Sequence, residues 1–365
     1  MSVLESFQAA GLPEHIKAMS QQEMEERIWE IKRKLGPRLF MPGHYYQKDE
    51  VIQFADETGD SLQLAKTGAA NNGAEYIVFC GVHFMAETAD ILSEANQTVL
   101  LPDLRAGCSM ADMAEISQLE KAWKKLQGEF GDTITPLTYV NSTAAIKAFC
   151  GRNQGATLTS SNAENMLAWA FAQKERILFL PDQHLGRNTA YEMGIPLAKM
   201  AVWDPIRETL EWEGDAEQVR MILWKGHCSV HEKFTMDNVR QVKKENPDAS
   251  VIVHPECMFD VVQAADAAGS TNKIIQTIRE APSGSTWAVG TEMNLVHRLM
   301  QEETDKTVYS LNPNMCPCLT MNRIDLPHLL WSLESISSPA PHHVIEVDPA
   351  TKHEAWTALE RMLQQ

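Results

Sequence analysis

The chain has 365 residues, two to three times a typical domain length, and 44% of them are hydrophobic. This composition predicts two or three packed domains and excludes a disordered, collagenous or coiled-coil protein. The net charge of -17 disfavours nucleic acid and anionic lipid as partners, because an acidic surface repels phosphate groups.

The N-terminal segment has neither a basic leader region nor a long apolar stretch. We therefore expect a cytoplasmic protein with no membrane partner. Seven cysteines are an odd number, and without a secretory signal they disfavour a disulfide framework. Thiols, metal ligands or catalytic sulfur are the remaining interpretations.

Short apolar runs rich in Val, Ile, Leu and Phe predict strands in regular succession along the chain. They lie at 39–43, 76–81, 98–103, 135–142, 156–162, 176–182, 219–226, 250–256, 285–292 and 307–312. Segments of helical length and period separate them. The alternation predicts an α/β fold with buried, parallel strands.

The first nine strands fall into three groups of three, which predicts three α/β domains, although one long doubly wound sheet fits the spacing equally well. Polar residues follow many of the strands, including the segments HYYQ, YVNST, TSSN, GHCSVHE, HPEC and GTE. Parallel sheets bind ligands at the carboxyl ends of their strands. These ends therefore predict a functional site at the domain interface.

The cysteines divide by their surroundings. Cys80 and Cys150 lie in apolar runs and are interpreted as small buried hydrophobes, and an inert thiol is slightly preferred for Cys257. Cysteines in Gly- or Pro-containing loops have surroundings typical of ligands, and these are Cys108, Cys228, Cys316 and Cys318. One thiolate from each domain could hold an iron–sulfur cluster by three corners and leave the fourth iron open as a Lewis acid.

Several segments, taken together and in order, resemble the quinolinate synthase family. They are GHYYQKDEVIQFADETGDSLQLA, AGCSMADM, YVNST, TSSN, LPDQHLGRNT, WKGHCSVHEKF, VHPE, GSTNKII, VGTEMNL and CPCLTMNRI. No single motif would suffice, but together they cover nearly the whole chain.

The resemblance implies three similar α/β domains with short parallel sheets around a pseudo-threefold axis, and an active site at their central interface. The domains expected in this chain are 37–106, 107–215 and 216–322. A helical extension at 1–36 precedes them, and C-terminal helices at 323–365 are expected to complete the first domain. Asp182 and Arg187 of the LPDQHLGRNT segment are interpreted as structural.

The implied activity is condensation of iminoaspartate (iminosuccinate) with dihydroxyacetone phosphate to quinolinate, with loss of phosphate and two waters, in de novo NAD biosynthesis. The implied cofactor is a 4Fe-4S cluster with three cysteine ligands and one open iron. An L-aspartate oxidase or dehydrogenase would supply the imine.

The family pattern falls on Cys108 and Cys228 as cluster ligands. For the third ligand we prefer Cys318 to Cys316, because the family's last ligand is followed by Met three residues later and by Leu eight residues later. Met321 and Leu326 satisfy this spacing only from Cys318. A redox-active pair of Cys316 and Cys318 is a further hypothesis.

The remaining family positions are polar residues at strand ends and helix starts. The implied catalytic residues are Glu256, Tyr46, Tyr139, His44 and His231. The implied substrate-binding residues are His44, Ser61, Tyr139, Asn141, Ser160, His254, Glu256, Ser270 and Thr271. Glu256 is the expected general acid or base, and we expect burial to raise its pKa towards neutrality.

Two other functions are consistent with an open iron. One is a cluster-dependent hydro-lyase acting on a small hydroxy acid, which would need a single substrate. The other is an iron–sulfur sensor, against which stand the acidic charge and the many polar strand ends.

Overall fold

A computed structural model describes residues 11–71, 73–212 and 216–364. The chain divides into two compact units. The first contains the described residues up to Cys108 together with Cys318–Val347, and the second contains Ser109–Pro317 and the described residues from Asp348 onward. In these described ranges, no helix is both long and apolar enough to cross a lipid bilayer.

The N-terminal elements of the first unit alternate between helices and strands, but a short strand at Glu57–Gly59 interrupts the segment expected to be helical between the first two predicted strands. They are α1 (Glu14–Lys17), α2 (Gln21–Leu35), β1 (Leu39–Phe40), β2 (Pro42–His44), α3 (Asp49–Ile52), β3 (Glu57–Gly59), α4 (Ser61–Ala70), β4 (Tyr76–Val78), α5 (His83–Leu92) and β5 (Thr98–Leu100). Helix α2 begins at a capping box, in which Ser20 and Glu23 satisfy each other's backbone N–H groups.

The second unit contains most of the remaining elements. They are α6 (Ile116–Phe130), β6 (Ile134–Tyr139), α7 (Ala144–Arg152), β7 (Ala156–Leu158), α8 (Ala163–Gln173), β8 (Arg176–Leu180), α9 (Gln183–Glu192), β9 (Met200–Asp204), β10 (Thr209–Glu211), β11 (Met221–Trp224), α10 (Met236–Glu245), β12 (Ser250–Val253), α11 (Phe259–Ala264), β13 (Ala267–Ala268), α12 (Thr271–Glu280), β14 (Thr286–Gly290), α13 (Met293–Glu302) and β15 (Thr307–Ser310).

The C-terminal part returns to both units. It contains α14 (Leu326–Ser335) and β16 (Val344–Ile345) in the first unit and α15 (Pro349–Leu363) in the second. In the first unit, α14 packs against α2. In the second, α15 packs against α7 and places Ala358 in the core beside Ile146 and Phe149.

Three of the sheets are predominantly parallel, as the continuous apolar runs predicted. The first unit has the order β1-β4-β5-β16, in which β16 is antiparallel to β5. The second unit has a six-stranded sheet, β10-β9-β11-β8-β6-β7, and a four-stranded sheet, β13-β12-β14-β15. The parallel pair β2–β3 continues the first sheet, because the His44 backbone N–H donates to the Cys80 carbonyl at 3.0 Å.

Two expectations about organisation differ from the structure. The strand expected at 219–226 was grouped with those at 250 and 285, but β11 lies between β8 and β9 in the six-stranded sheet. The C-terminal helices were expected to complete the first domain, which holds for α14, whereas α15 packs in the second unit. Both differences arise from long-range pairing and packing, which local hydrophobic pattern does not encode.

Candidate active site

A buried carboxylate lies at the carboxyl end of the four-stranded sheet. Glu256 follows β12 and is 3% exposed, and its Oε2 is 2.8 Å from Nδ1 of His231, which is also buried. The Tyr139 hydroxyl, at the end of β6, is a second hydrogen-bond donor to this carboxylate. Two sheets and the loop after β11 thus bring together three residues that the family resemblance implied as catalytic.

Thr291 extends this cluster. Its hydroxyl lies 3.1 Å from Nε2 of His231, and Thr291 itself is fully buried at the end of β14. The His231 ring is therefore held between a carboxylate and a hydroxyl. Thr291 was not among the predicted site residues, although it belongs to the GTE segment, one of the polar strand ends that predicted a site.

The ionisation of Glu256 differs from the sequence expectation. Burial by itself would raise its pKa, but the electrostatic influence of His254 and His231 and the hydrogen bonds from His231 and Tyr139 outweigh burial. The pKa of Glu256 consequently lies below its usual value, so the expectation of a raised pKa is wrong. The carboxylate is therefore ionised at neutral pH and accepts the hydrogen bonds of its neighbours.

Asp182 is a second buried carboxyl beside this cluster. Its Oδ1 caps α9 by accepting the backbone N–H groups of His184 and Leu185 at 2.5 and 2.9 Å, which agrees with the structural role expected for it. Burial and the negative charge of Glu256 raise the pKa of Asp182 well above its usual value. The two neighbouring carboxyls therefore differ in the direction of their pKa shifts, upward for Asp182 and downward for Glu256.

Two histidines at strand ends share one backbone arrangement. Nδ1 of His254 accepts the Glu256 backbone N–H at 3.3 Å, and Nδ1 of His44 accepts the Tyr46 backbone N–H at 3.2 Å. In the neutral ring this acceptor role puts the remaining proton on Nε2. The two rings thus share one orientation relative to the backbone that follows them.

Within the first unit, the HYYQ segment lies beside the residues that follow Cys318. The His44 and Tyr46 rings contact edge to face, with centroids 4.6 Å apart. The buried Gln47 amide donates to the Met321 carbonyl at 3.3 Å. Gln47 had no assigned role, and it joins a predicted site segment to a predicted ligand segment.

Several helix starts carry the predicted hydroxyl groups. Ser61 is the first residue of α4, Thr271 is the first residue of α12, and Ser270 caps α12 by accepting the Lys273 backbone N–H at 3.3 Å. Ser160 lines a cavity of about 200 Å³ in the second unit, together with Thr189, Pro255 and the residues preceding Ser270. Helix starts present backbone N–H groups and favour anions.

Asn141 is the remaining residue implied to bind substrate. It follows β6, and its Oδ1 is buried without a hydrogen-bond partner among the described residues. A buried amide oxygen of this kind is costly unless a ligand or a water completes it.

The cysteines separate as expected. Cys80, Cys150 and Cys257 are buried, and desolvation raises the pKa of each thiol, that of Cys80 to about 12. The burial of Cys80 and Cys150 confirms their interpretation as small buried hydrophobes. Cys108, Cys228 and Cys318 are half-buried, and Cys316 is exposed.

The three half-buried cysteines precede the same local structure. One-turn 3-10 helices begin three residues after them, at Ala111–Met113, His231–Lys233 and Met321–Arg323. Helices α6, α10 and α14 begin eight residues after them, each capped by the side chain of the preceding residue. Cys316 lacks this spacing, so the local structure distinguishes the two cysteines of the CPC segment.

Groups that can bind a metal ion lie close together near Cys228. The serines that follow Cys108 and Cys228 lie 3.4 Å apart at their hydroxyls. Ligand atoms of Cys228, His231 and Glu256 lie within 4.8 Å of one another. Thiolates are the donors that iron–sulfur clusters require, whereas His231 and Glu256 already bond to each other.

The chain is similar over its length to proteins of known family. Residues 26–364 match the family model described as quinolinate synthetase A protein. The chain is 64% identical over 366 residues, covering 100% of both sequences, to quinolinate synthases of Bacillus cereus strains G9842 and Q1. It is equally similar to that of Bacillus thuringiensis subsp. konkukian strain 97-27.

Proposed function

Because the chain belongs to the quinolinate synthase family, we propose that it condenses iminoaspartate with dihydroxyacetone phosphate to quinolinate, releasing phosphate and two waters. The observation that carries this proposal is the buried Glu256 carboxylate, which is held by His231 and Tyr139. His231 lies three residues after Cys228 along the chain. A condensation of this kind needs proton removal at carbon and proton delivery to leaving oxygens, and this cluster offers both.

We propose that Cys108, Cys228 and Cys318 hold a 4Fe-4S cluster. The shared 3-10 turn after each cysteine supports this set, and the exposed Cys316 lies outside it. When bound, such a cluster supplies one iron without a protein ligand, which acts as a Lewis acid towards a substrate oxygen.

Glu256 is the proposed general base. Its ionised carboxylate can take a proton from carbon during isomerisation of the triose and formation of the enamine. His231 donates its Nδ1–H to this carboxylate and so orients it, while Thr291 holds the ring at its other nitrogen. Tyr46, against which His44 lies, provides a hydroxyl donor for oxygens on which negative charge develops. Tyr139 donates its hydroxyl to the Glu256 carboxylate and so holds the proposed base.

Both substrates are anions, and the proposed binding residues are mainly hydroxyl, amide and imidazole donors. The helix starts at Ser61 and at Ser270 and Thr271 present hydroxyl and backbone N–H groups. Ser160, Asn141 and the Nε2–H groups of His44 and His254 complete the proposed set. This arrangement explains how an acidic chain could bind carboxylate and phosphate.

We also propose that the fold is a pseudo-threefold arrangement of three α/β domains with a central active site. The support is local, because the three cysteine segments share one succession of a 3-10 turn and a capped helix. A cytoplasmic location and a functional link to an aspartate oxidase or dehydrogenase, which would supply the unstable imine, belong to the same proposal.

The test is anaerobic incubation of the purified protein with dihydroxyacetone phosphate and freshly generated iminoaspartate. We expect quinolinate, detected by chromatography, only when both substrates are present. Turnover of a single hydroxy acid without condensation would indicate a hydro-lyase instead. A loaded cluster with no turnover of either kind would favour an iron–sulfur sensor.

A further inference from the structure

A partly buried polar network lies in the first unit between the loop that leads to Cys108 and the helix that follows Cys318. Its members are Asp103, Arg105, Asp325 and His328, of which Asp103 and His328 are 4% and 2% exposed. Arg105 donates through two nitrogens to the two carboxylate oxygens of Asp103, each at 2.9 Å. This is the bidentate geometry that gives arginine–carboxylate pairs their directionality.

His328 connects this pair to Asp325. Its Nδ1 is 2.6 Å from Oδ1 of Asp325, and its Nε2 is 3.4 Å from a guanidinium nitrogen of Arg105. Because arginine can only donate, Nε2 of the ring accepts and Nδ1 carries the proton towards Asp325. The hydrogen bonds therefore run in one direction, from Arg105 through His328 to Asp325.

The residue at each end of this chain of hydrogen bonds also bonds the backbone of a segment next to a cysteine. Asp103 folds the loop before Cys108, since the Arg105 backbone N–H donates to its Oδ1 and the Ala106 N–H donates to its carbonyl, both at 2.9 Å. Asp325 caps α14 by accepting the His328 backbone N–H at 3.0 Å. Cys318 lies seven residues before this cap.

The corresponding positions after the other two cysteines carry different residues. Gln118 donates its backbone N–H to the cap Glu115, and the Asn238 side chain bonds the cap Thr235. His328 makes the equivalent bond to its own cap and, in addition, reaches the loop before Cys108. In the segment after Cys318, the His328 side chain thus contacts both the helix cap Asp325 and Arg105 of the loop before Cys108.

We infer that His328 is a positioning residue that joins the Cys108 loop to the Cys318 helix and thereby slows loss of the metal centre. The inference rests on the proposed assignment of Cys108 and Cys318 as ligands. Residues that orient metal ligands from behind affect retention of the metal more than the fold itself. Cluster retention is therefore the property that His328 controls.

The test compares two conservative substitutions in the reconstituted holoprotein under anaerobic conditions. In His328→Asn the amide nitrogen replaces Nδ1 and keeps the bond to Asp325, but the side chain is too short to reach Arg105. In His328→Gln the amide reaches the position of Nε2. The exposed His342 of the same unit provides the control His342→Asn.

The measurement is the first-order rate of iron release to a ferrous chelator. We expect release from His328→Asn to be about 10- to 100-fold faster than from the wild type. We expect His328→Gln and His342→Asn to stay within about threefold of wild type. A wild-type rate for His328→Asn would overturn the inference, as would equally fast release from both His328 variants.

Folding is checked separately by circular dichroism and thermal unfolding of the cluster-free proteins. If His328→Asn does not fold, Arg105→Met breaks the same connection from its exposed side, and wild-type iron release from Arg105→Met would then contradict the inference. If the wild type itself holds no iron after anaerobic reconstitution, the proposed cofactor fails instead, and the two failures are distinguishable.

Discussion

Glu256 is the residue on which the chemical account depends. Replacing it with Gln removes the proton acceptor and keeps the side chain's size. We expect Glu256→Gln to lower kcat by about 10²- to 10⁴-fold, the range typical of a lost general base. Iron content should not change, because the proposed cluster ligands are the three cysteines and the carboxylate is hydrogen-bonded to His231 and Tyr139.

Steady-state quinolinate formation and iron analysis on the same preparation measure both quantities. Asp260→Asn is the matched control, since it removes an exposed carboxylate in the same segment. Loss of iron from Glu256→Gln would show that Cys228, His231 and Glu256 together hold a metal ion, and would contradict the assigned role.

The two cysteines of the CPC segment give a second prediction at this scale. Cys318→Ser should abolish cluster loading, because a serine hydroxyl is a poor substitute for thiolate at iron. Cys316→Ser should keep the full cluster, because Cys316 lies outside the shared turn. Iron and sulfide analysis after anaerobic reconstitution decides between them, with the buried Cys80→Ser as the control.

The ionisation of Asp182 is expected to make the free energy of unfolding depend on pH. Its pKa is raised in the folded protein by burial and by the charge of Glu256. The stability that this group contributes is therefore complete below the unfolded pKa of about 3.9 and is lost as pH rises through the raised folded pKa. Asp182→Asn keeps the helix cap and cannot ionise, so it should not show this loss.

Urea unfolding of the cluster-free proteins between pH 5 and 8 tests this. The free energy of unfolding of Asp182→Asn should rise relative to wild type as pH increases. Asp182→Ala should instead be less stable by about 1 kcal/mol through the lost cap. Parallel pH profiles of the wild type and Asp182→Asn would show that Asp182 is ionised in the folded protein.

At the scale of elements, the packing of α15 on α7 permits no side chain at Gly151. A Cβ atom built there would lie 1.9 Å from the Glu354 carbonyl oxygen. We expect Gly151→Ala to destabilise the protein by at least about 1–3 kcal/mol, because the backbones must separate.

Gly128 provides the contrast, since a Cβ there meets no atom within 4 Å on the exposed face of α6. Gly128→Ala should stabilise by about 0.5–1 kcal/mol through reduced backbone freedom of the unfolded chain. Thermal unfolding of both variants tests the pair. Equal stability of Gly151→Ala and the wild type would contradict the close contact.

Individual strands differ in how well the sequence could predict them. Strand β12 lies inside a predicted strand because four successive residues, Ser250 to Val253, favour a buried strand. Strands β13 and β16 have two residues each, too few to leave a hydrophobic pattern. The membership of β11 in the six-stranded sheet depends on pairing with β8 and β9, which periodicity cannot show.

For the site, the residue types were predictable and their mutual arrangement was not. Glu256 and His231 are 25 residues apart, so their bond and its effect on the pKa of Glu256 could not be foreseen. The repeat that follows Cys108, Cys228 and Cys318 was also missed. It preserves spacing and backbone conformation while most residue identities differ.

For the whole molecule, we propose that one cofactor and one acid–base cluster act in a single condensation. The similarity to the family covers the full chain. The net charge of -17 is compatible with small anionic substrates because the candidate binding groups are helix starts, hydroxyls and imidazoles. Activity should therefore depend on the cofactor and not on the surface charge.

The most direct measurement is quinolinate formation as a function of iron content in anaerobic preparations reconstituted to different extents. The account predicts a rate proportional to loading, with four irons per chain at full activity, as expected for a 4Fe-4S cluster. Quinolinate formed at the full rate by iron-free protein would contradict it.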